Sequence, residues 1–108
     1  MRVEQLDSMI RGWFVGNFIP NVYQTEDVEV AIQNYPSGTY EPWHYHKIAT
    51  EITVIVVGEA EMNGQRYNAG KIVVMEPGEG TDFKAVTDVT TVVVKLPSVK
   101  HDKYLKGD

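Results

Sequence analysis

The chain has 108 residues, enough for one domain and little more, and its 43% hydrophobic and 23% charged residues let it build a core without staples. It has no cysteine, which excludes disulfides and thiolate metal sites and fits a reducing cytoplasm. A net charge of −5 with no basic cluster argues against a nucleic-acid partner, and no apolar run reaches the ~18 residues of a membrane span.

The first residues, MRVEQLDSMIRGWF, carry acids early and no apolar run, so they do not read as a signal peptide. Residues 3–10 allow one short amphipathic helical turn, with Val3, Leu6 and Ile10 on one side. The stretch GWFVGNFI, ending at Pro20, reads as a strand or an extended lid. Its Trp13, Phe14 and Phe18 either cover a site or dimer contact or fill one end of the core, the commoner use of such residues.

From there the signals are those of strands. DVEVAIQNY (27–35) alternates, with Val28, Val30 and Ile32 on one face, and PSG (36–38) is a turn. WHYH (43–46) is short and extended. EITVIVV (51–57) is rich in β-branched residues and reads as buried on both faces. Asn63-Gly64 is the strongest hairpin signal, because a type I′ turn needs φ > 0 at both centres. KIVVME, TDFKAV and TTVVVKLP supply further strands, and the polar end VKHDKYLK reads as a solvated tail. With seven to nine short strands and no crossover helices, the expectation is an all-β sandwich or barrel.

The chemistry gathers in GTYEPWHYHKIATEITVIVVG, residues 38–58. On a strand His44 and His46 share a face, with Cα atoms about 6.6 Å apart. Glu51 opens the next strand, at the head of an apolar run where a bare carboxylate is costly. Two imidazoles and one carboxylate are a donor set for Fe, Mn, Ni or Zn as divalent ions. A lone strand histidine is more often packed or solvent-facing, so the pair alone is weak and the acid strengthens it.

The spacing G-x5-H-x-H-x4-E-x6-G, from Gly38 to Gly58, resembles the first motif of the cupins without a gap. The second motif is matched loosely: six residues separate Gly70 from Pro77, and Thr81 stands where the family usually has a histidine. The resemblance implies a cupin-type antiparallel jelly-roll β-barrel, a single domain with residues 1–20 as an N-terminal strand or lid and 26–97 as the barrel core. It implies His44, His46 and Glu51 as metal ligands, and Tyr40, Thr81 and Phe83 as residues of a substrate pocket. Threonine is a poor ligand for such ions, so the site holds its metal with three protein ligands, recruits Asp82, or has become a pocket without metal. The resemblance to small cupins points to sugar-like ligands.

Two functions follow. One is a metal-dependent enzyme, of isomerase, epimerase or oxygenase type, acting on a small sugar-like or carboxylate substrate. The other is a non-catalytic small-molecule binding module with a lost or reduced metal site. Arg66, Lys84 and Lys95 would bind an anion only if they faced inward, and strand charges usually face water. Glu76, Glu79 and Asp82 form either an acidic rim or a solvated loop. The expected partner is a second copy, held through residues 1–20 because jelly-roll edges need cover.

Overall fold

The computed structural model describes residues 1–108, and in it the alternating segments and their turns become eleven strands in two sheets. The first sheet joins β1 (Trp13–Gly16), β2 (Tyr23–Gln24), β3 (Glu29–Tyr35), β5 (Thr50–Val57), β8 (Ile72–Met75) and β10 (Val89–Leu96) in the order β2-β1-β3-β10-β5-β8. The second joins β4 (Tyr40–Tyr45), β6 (Glu59–Met62), β7 (Gln65–Asn68), β9 (Gly80–Ala85) and β11 (Tyr104–Leu105) in the order β11-β4-β9-β6-β7. All pairings are antiparallel except the short β1–β2 pair. The fold is therefore an all-β jelly roll, and no helix is long and apolar enough to cross a membrane.

Turn chemistry fixes the joints. Asn63 and Gly64 both take positive φ, 50° and 77°, and the hairpin pairs Met62 with Gln65 on either side. Gly58, which separates β5 from β6, has φ 91°, and an added Cβ would lie 2.1 Å from the Asp88 carbonyl oxygen.

One end of the barrel is closed by an apolar plug of Ile55, Ala60, Met62, Phe83, Ala85 and Val89. Toward the other end the inward positions turn polar. Along β5 the inward face runs Glu51, Thr53, Ile55, from open mouth to closed floor. Along β10 it runs Lys95, Val93, Thr91, Val89.

Three expectations need correction. β5 is not buried on both faces: Val56 and Val57 are exposed, because nothing in the chain covers the outside of this sheet. On β3 Val30 and Ile32 share a face as expected, and it is the outer one, since the inward residues include Glu29 and Ala31. The early helical turn is a single 3-10 turn, Leu6–Ser8, and Val3 and Ile10 are exposed rather than packed. The C-terminal segment is not a free solvated end, because β11 pairs with β4 at Tyr45 and His44.

Candidate metal centre

β4 and β5 lie in different sheets, and the short link Lys47–Ala49 carries the chain from one to the other. That crossing brings His44, His46 and Glu51 together. One ligand atom from each lies within 4.8 Å of the others. The two imidazole rings stand 5.5 Å apart, centroid to centroid, at 77°. His46 is buried, and His44 and Glu51 are half-buried at the wall of a cavity of about 370 Å³.

The ring nitrogens are sorted by their surroundings. His44 Nδ1 faces the Pro42 carbonyl oxygen at 3.3 Å, and His46 Nδ1 faces that of Asp102. A carbonyl can only accept, so both Nδ1 atoms carry a proton, and in the neutral ring each Nε2 presents a lone pair. His46 Nε2 is buried without a hydrogen-bond partner, 3.6 Å from Glu51 Oε1. Two acceptors at that separation, one buried and one half-buried, favour a cation between them. A proton can bridge two atoms, but here three donors converge, which a metal ion satisfies and a proton does not. The donor set and the orphaned nitrogen therefore fit a divalent transition ion.

The electrostatics favour a neutral His44 beside a charged Glu51. Burial pushes the His44 imidazole below its ordinary value, with Lys103 adding to the effect and the Pro42 carbonyl opposing it. Burial pushes the Glu51 carboxyl up, but His46, His44 and Lys95 outweigh it and hold the group below its ordinary value. Lys95 is the cross-strand partner of Glu51 and also meets Glu29 at 3.6 Å.

The remaining candidates separate cleanly. Thr81 and Phe83 line the cavity. The Thr81 hydroxyl donates to the Asp82 carbonyl oxygen at 2.7 Å, so it is turned to backbone rather than to the histidines. Asp82 faces away: it accepts the Asn63 N–H at 2.9 Å, and the Tyr40 hydroxyl reaches it at 3.5 Å. Tyr40 is 57% exposed and does not line the cavity, which corrects its place in the pocket. Strand alternation explains this, because its neighbour Glu41 takes the inward position. Glu76 and Glu79 stay off the cavity: the Glu79 carboxylate accepts the Glu76 N–H at 2.7 Å, and the Glu76 carboxylate accepts the Thr50 hydroxyl at 3.3 Å. Trp13 and Phe18 line the mouth rather than only filling the core.

Several residues of the cavity carry no motif. A register shift in β4 between Glu41 and His44 lets both face inward although three positions separate them. Tyr35 packs its ring on Phe83 at 4.7 Å and donates its hydroxyl to Gln33 Oε1. Thr91 is buried on the wall with no partner for its hydroxyl. Lys95 faces inward, against the usual habit of strand charges, and Arg11 and Lys103 reach the cavity from exposed segments. Periodicity alone offered a signal only for those on strands, and only once the direction of each face is known.

No protein-family model matches the chain, and no curated protein does. Solved structures do match. An uncharacterized conserved protein with a double-stranded β-helix domain from Klebsiella pneumoniae is 21% identical, with TM-score 0.73, over 99% of this chain and 93% of that one. DMSP lyase DddQ from Ruegeria pomeroyi is 22% identical, with TM-score 0.72, over 87% of this chain and 49% of that one. Oxalate decarboxylase from Bacillus subtilis, which has Mn(II) centres, is 14% identical, with TM-score 0.63, over 78% of this chain and 25% of that one. The chain thus spans about half of the lyase and a quarter of the decarboxylase. At these identities the likeness shows the fold: this chain has the double-stranded β-helix, or jelly-roll, architecture.

Proposed function

We propose that His44, His46 and Glu51 hold a divalent transition metal ion, and that the chain is a small metal-dependent enzyme acting on a small oxygen-rich substrate, carboxylate or sugar-like. The single observation that carries this reading is the buried His46 Nε2, unpartnered and aimed at Glu51 and His44. With Thr81 turned to backbone, three protein ligands leave coordination positions open to a substrate. An ion there would polarise a bound carbonyl or hydroxyl oxygen.

The chain's own residues favour an anionic group on the substrate. Glu29 is matched by Lys95, while Arg11 and Lys103 at the mouth have no carboxylate within ion-pair distance. Gln33, Thr91 and the Tyr35 hydroxyl offer hydrogen bonds along the wall, and Phe18 and Trp13 exclude water at the entrance. The neighbours named for oxalate and DMSP chemistry support a small polar substrate by analogy of fold only.

The test is metal analysis of protein purified without a histidine tag, followed by turnover screening with Fe, Mn, Ni and Zn against small carboxylates and sugars. One equivalent of bound metal, lost in His44→Ala and Glu51→Gln, is expected. Metal-independent ligand binding that survives His44→Ala would instead make the chain a non-catalytic binding module.

The second copy expected from sequence is also a proposal, with its contact moved. The outside of the six-stranded sheet presents Val30, Ile52, Val54, Val74 and Val92, with Val74 51% exposed. Such a face on a lone chain invites a partner. Sedimentation should show a dimer at micromolar concentration, which Val54→Lys converts to monomer. A wild-type monomer would end this reading.

A further inference from the structure

Asp102 lies in the segment after β10 and is 3% exposed, although His101 and Lys103 on either side face solvent. His101 takes φ 60°, a left-handed turn that swings the next residue inward. The Asp102 carboxylate then accepts three successive backbone N–H groups: Lys47 at 3.0 Å, Ile48 at 3.1 Å and Ala49 at 2.9 Å. Its own carbonyl oxygen accepts the His46 Nδ1–H. One residue thus grips the ring of a ligand and the backbone of all three residues of the Lys47–Ala49 link.

The neighbouring contacts act in the same direction. β11 pairs with β4 at Tyr45 and His44. The Lys47 ammonium sits 4.1 Å from the centre of the Tyr104 ring. The His46 carbonyl oxygen accepts the Gly78 N–H at 2.7 Å, which fixes the backbone that carries the ring. His46 is therefore held at its backbone by one loop and at its ring by the C-terminal segment.

We propose that Asp102 is a positioning residue of the metal centre: its carbonyl selects the His46 tautomer that presents Nε2, and its carboxylate sets the 47–49 link so that Glu51 meets both histidines. This rests on the metal reading above. Partners of this kind, one bond removed from the ion, commonly change metal affinity about 10–100-fold when removed. A mere loop cap would not touch the ligand ring.

Two measurements on the full chain test it. In metal-free wild-type protein, long-range proton–nitrogen NMR of the imidazoles should place the His46 proton on Nδ1. A proton on Nε2 overturns the proposal without reference to any metal. In Co(II) titrations, Asp102→Ala, which keeps the carbonyl but frees the link and the segment that aims that carbonyl at His46, should bind about 10–100-fold more weakly than wild type, and Asp102→Asn, which keeps one acceptor oxygen, about tenfold. Val89→Ala, a plug residue remote from the ligands, should lose stability but keep its Co(II) affinity. Should Asp102→Ala fail to fold, Asp102→Asn carries the comparison, and an Asn variant equal to wild type overturns the proposal. Equal affinity in wild type and Asp102→Ala likewise defeats the positioning role while leaving the metal reading intact. A wild type that binds no Co(II) defeats both.

Discussion

The two faces of the six-stranded sheet invert the usual arrangement. Its outer face is aliphatic along β3, β5, β8 and β10, with Val30, Ile52, Val74 and Val94 among its residues. Its inner face carries Glu29, Gln33, Glu51, Thr53, Thr91 and Lys95 around the cavity. Ala31 and Val93 interrupt that polar run, and near Ile55 and Val89 the inside becomes apolar throughout. Apolar residues in this chain therefore do two jobs: one group plugs the barrel floor, and the other faces away from it. A β-branched strand need not be a core strand on both sides, and a buried strand face need not be greasy when it walls a site.

Four substitutions sharpen that contrast. Ile55→Ala strikes the place where the inner face behaves as a core, and it should cost about 3–4 kcal/mol in urea unfolding, the middle of the range for buried large-to-small changes. A loss below about 1 kcal/mol would mean that the plug is not the stabilising centre.

Lys95→Met should cost about 2–3 kcal/mol, because it strands the largely buried Glu29 with only the Ser98 hydroxyl as donor, at 3.0 Å. If Lys95→Met costs as much in a Glu29→Gln background, the effect belongs to packing over Trp13 instead, where the ammonium lies 5.6 Å from the ring centre.

Thr91→Val should go the other way. It replaces a buried, unpartnered hydroxyl by a methyl of similar size, so the ligand-free protein should gain about 1 kcal/mol. If stability falls instead, the hydroxyl has a partner in solution, and the wall there is wetter than it looks.

The smallest effect concerns Tyr35. Burial, and then Glu41 beside it, push its phenol well above the ordinary value of 10.0. A group raised in the folded state stabilises fully below its unfolded value and loses that contribution as pH climbs toward the folded one. Tyr35→Phe should therefore leave stability near pH 7 within about 1 kcal/mol of wild type, and should remove the latest-rising component of the phenolate absorbance above pH 10. Loss of an early component instead would show the hydroxyl open to water.

Much of the centre was legible because its signals are local. His44 and His46 share a face by simple alternation, Glu51 follows at a spacing that one link can span, and Asn63-Gly64 announces its hairpin. The illegible parts depend on features outside any short window. Alternation shows that Val30 and Ile32 share a face but not which way it points. Glu41 reaches the cavity through a register shift that breaks the count from His44. Asp102 sits in a stretch that looks merely polar, and its partners Lys47–Ala49 lie more than fifty positions earlier in the chain.

The penultimate strand has a consequence of its own. β10 occupies the middle of the six-stranded sheet, with β3 on one flank and β5 on the other. During synthesis, both flanking segments leave the ribosome long before the piece that must slot between them. They wait with unpaired edges and bare aliphatic surfaces, so assembly is a late, concerted closure of distant segments, slow by topology and open to aggregation until it happens.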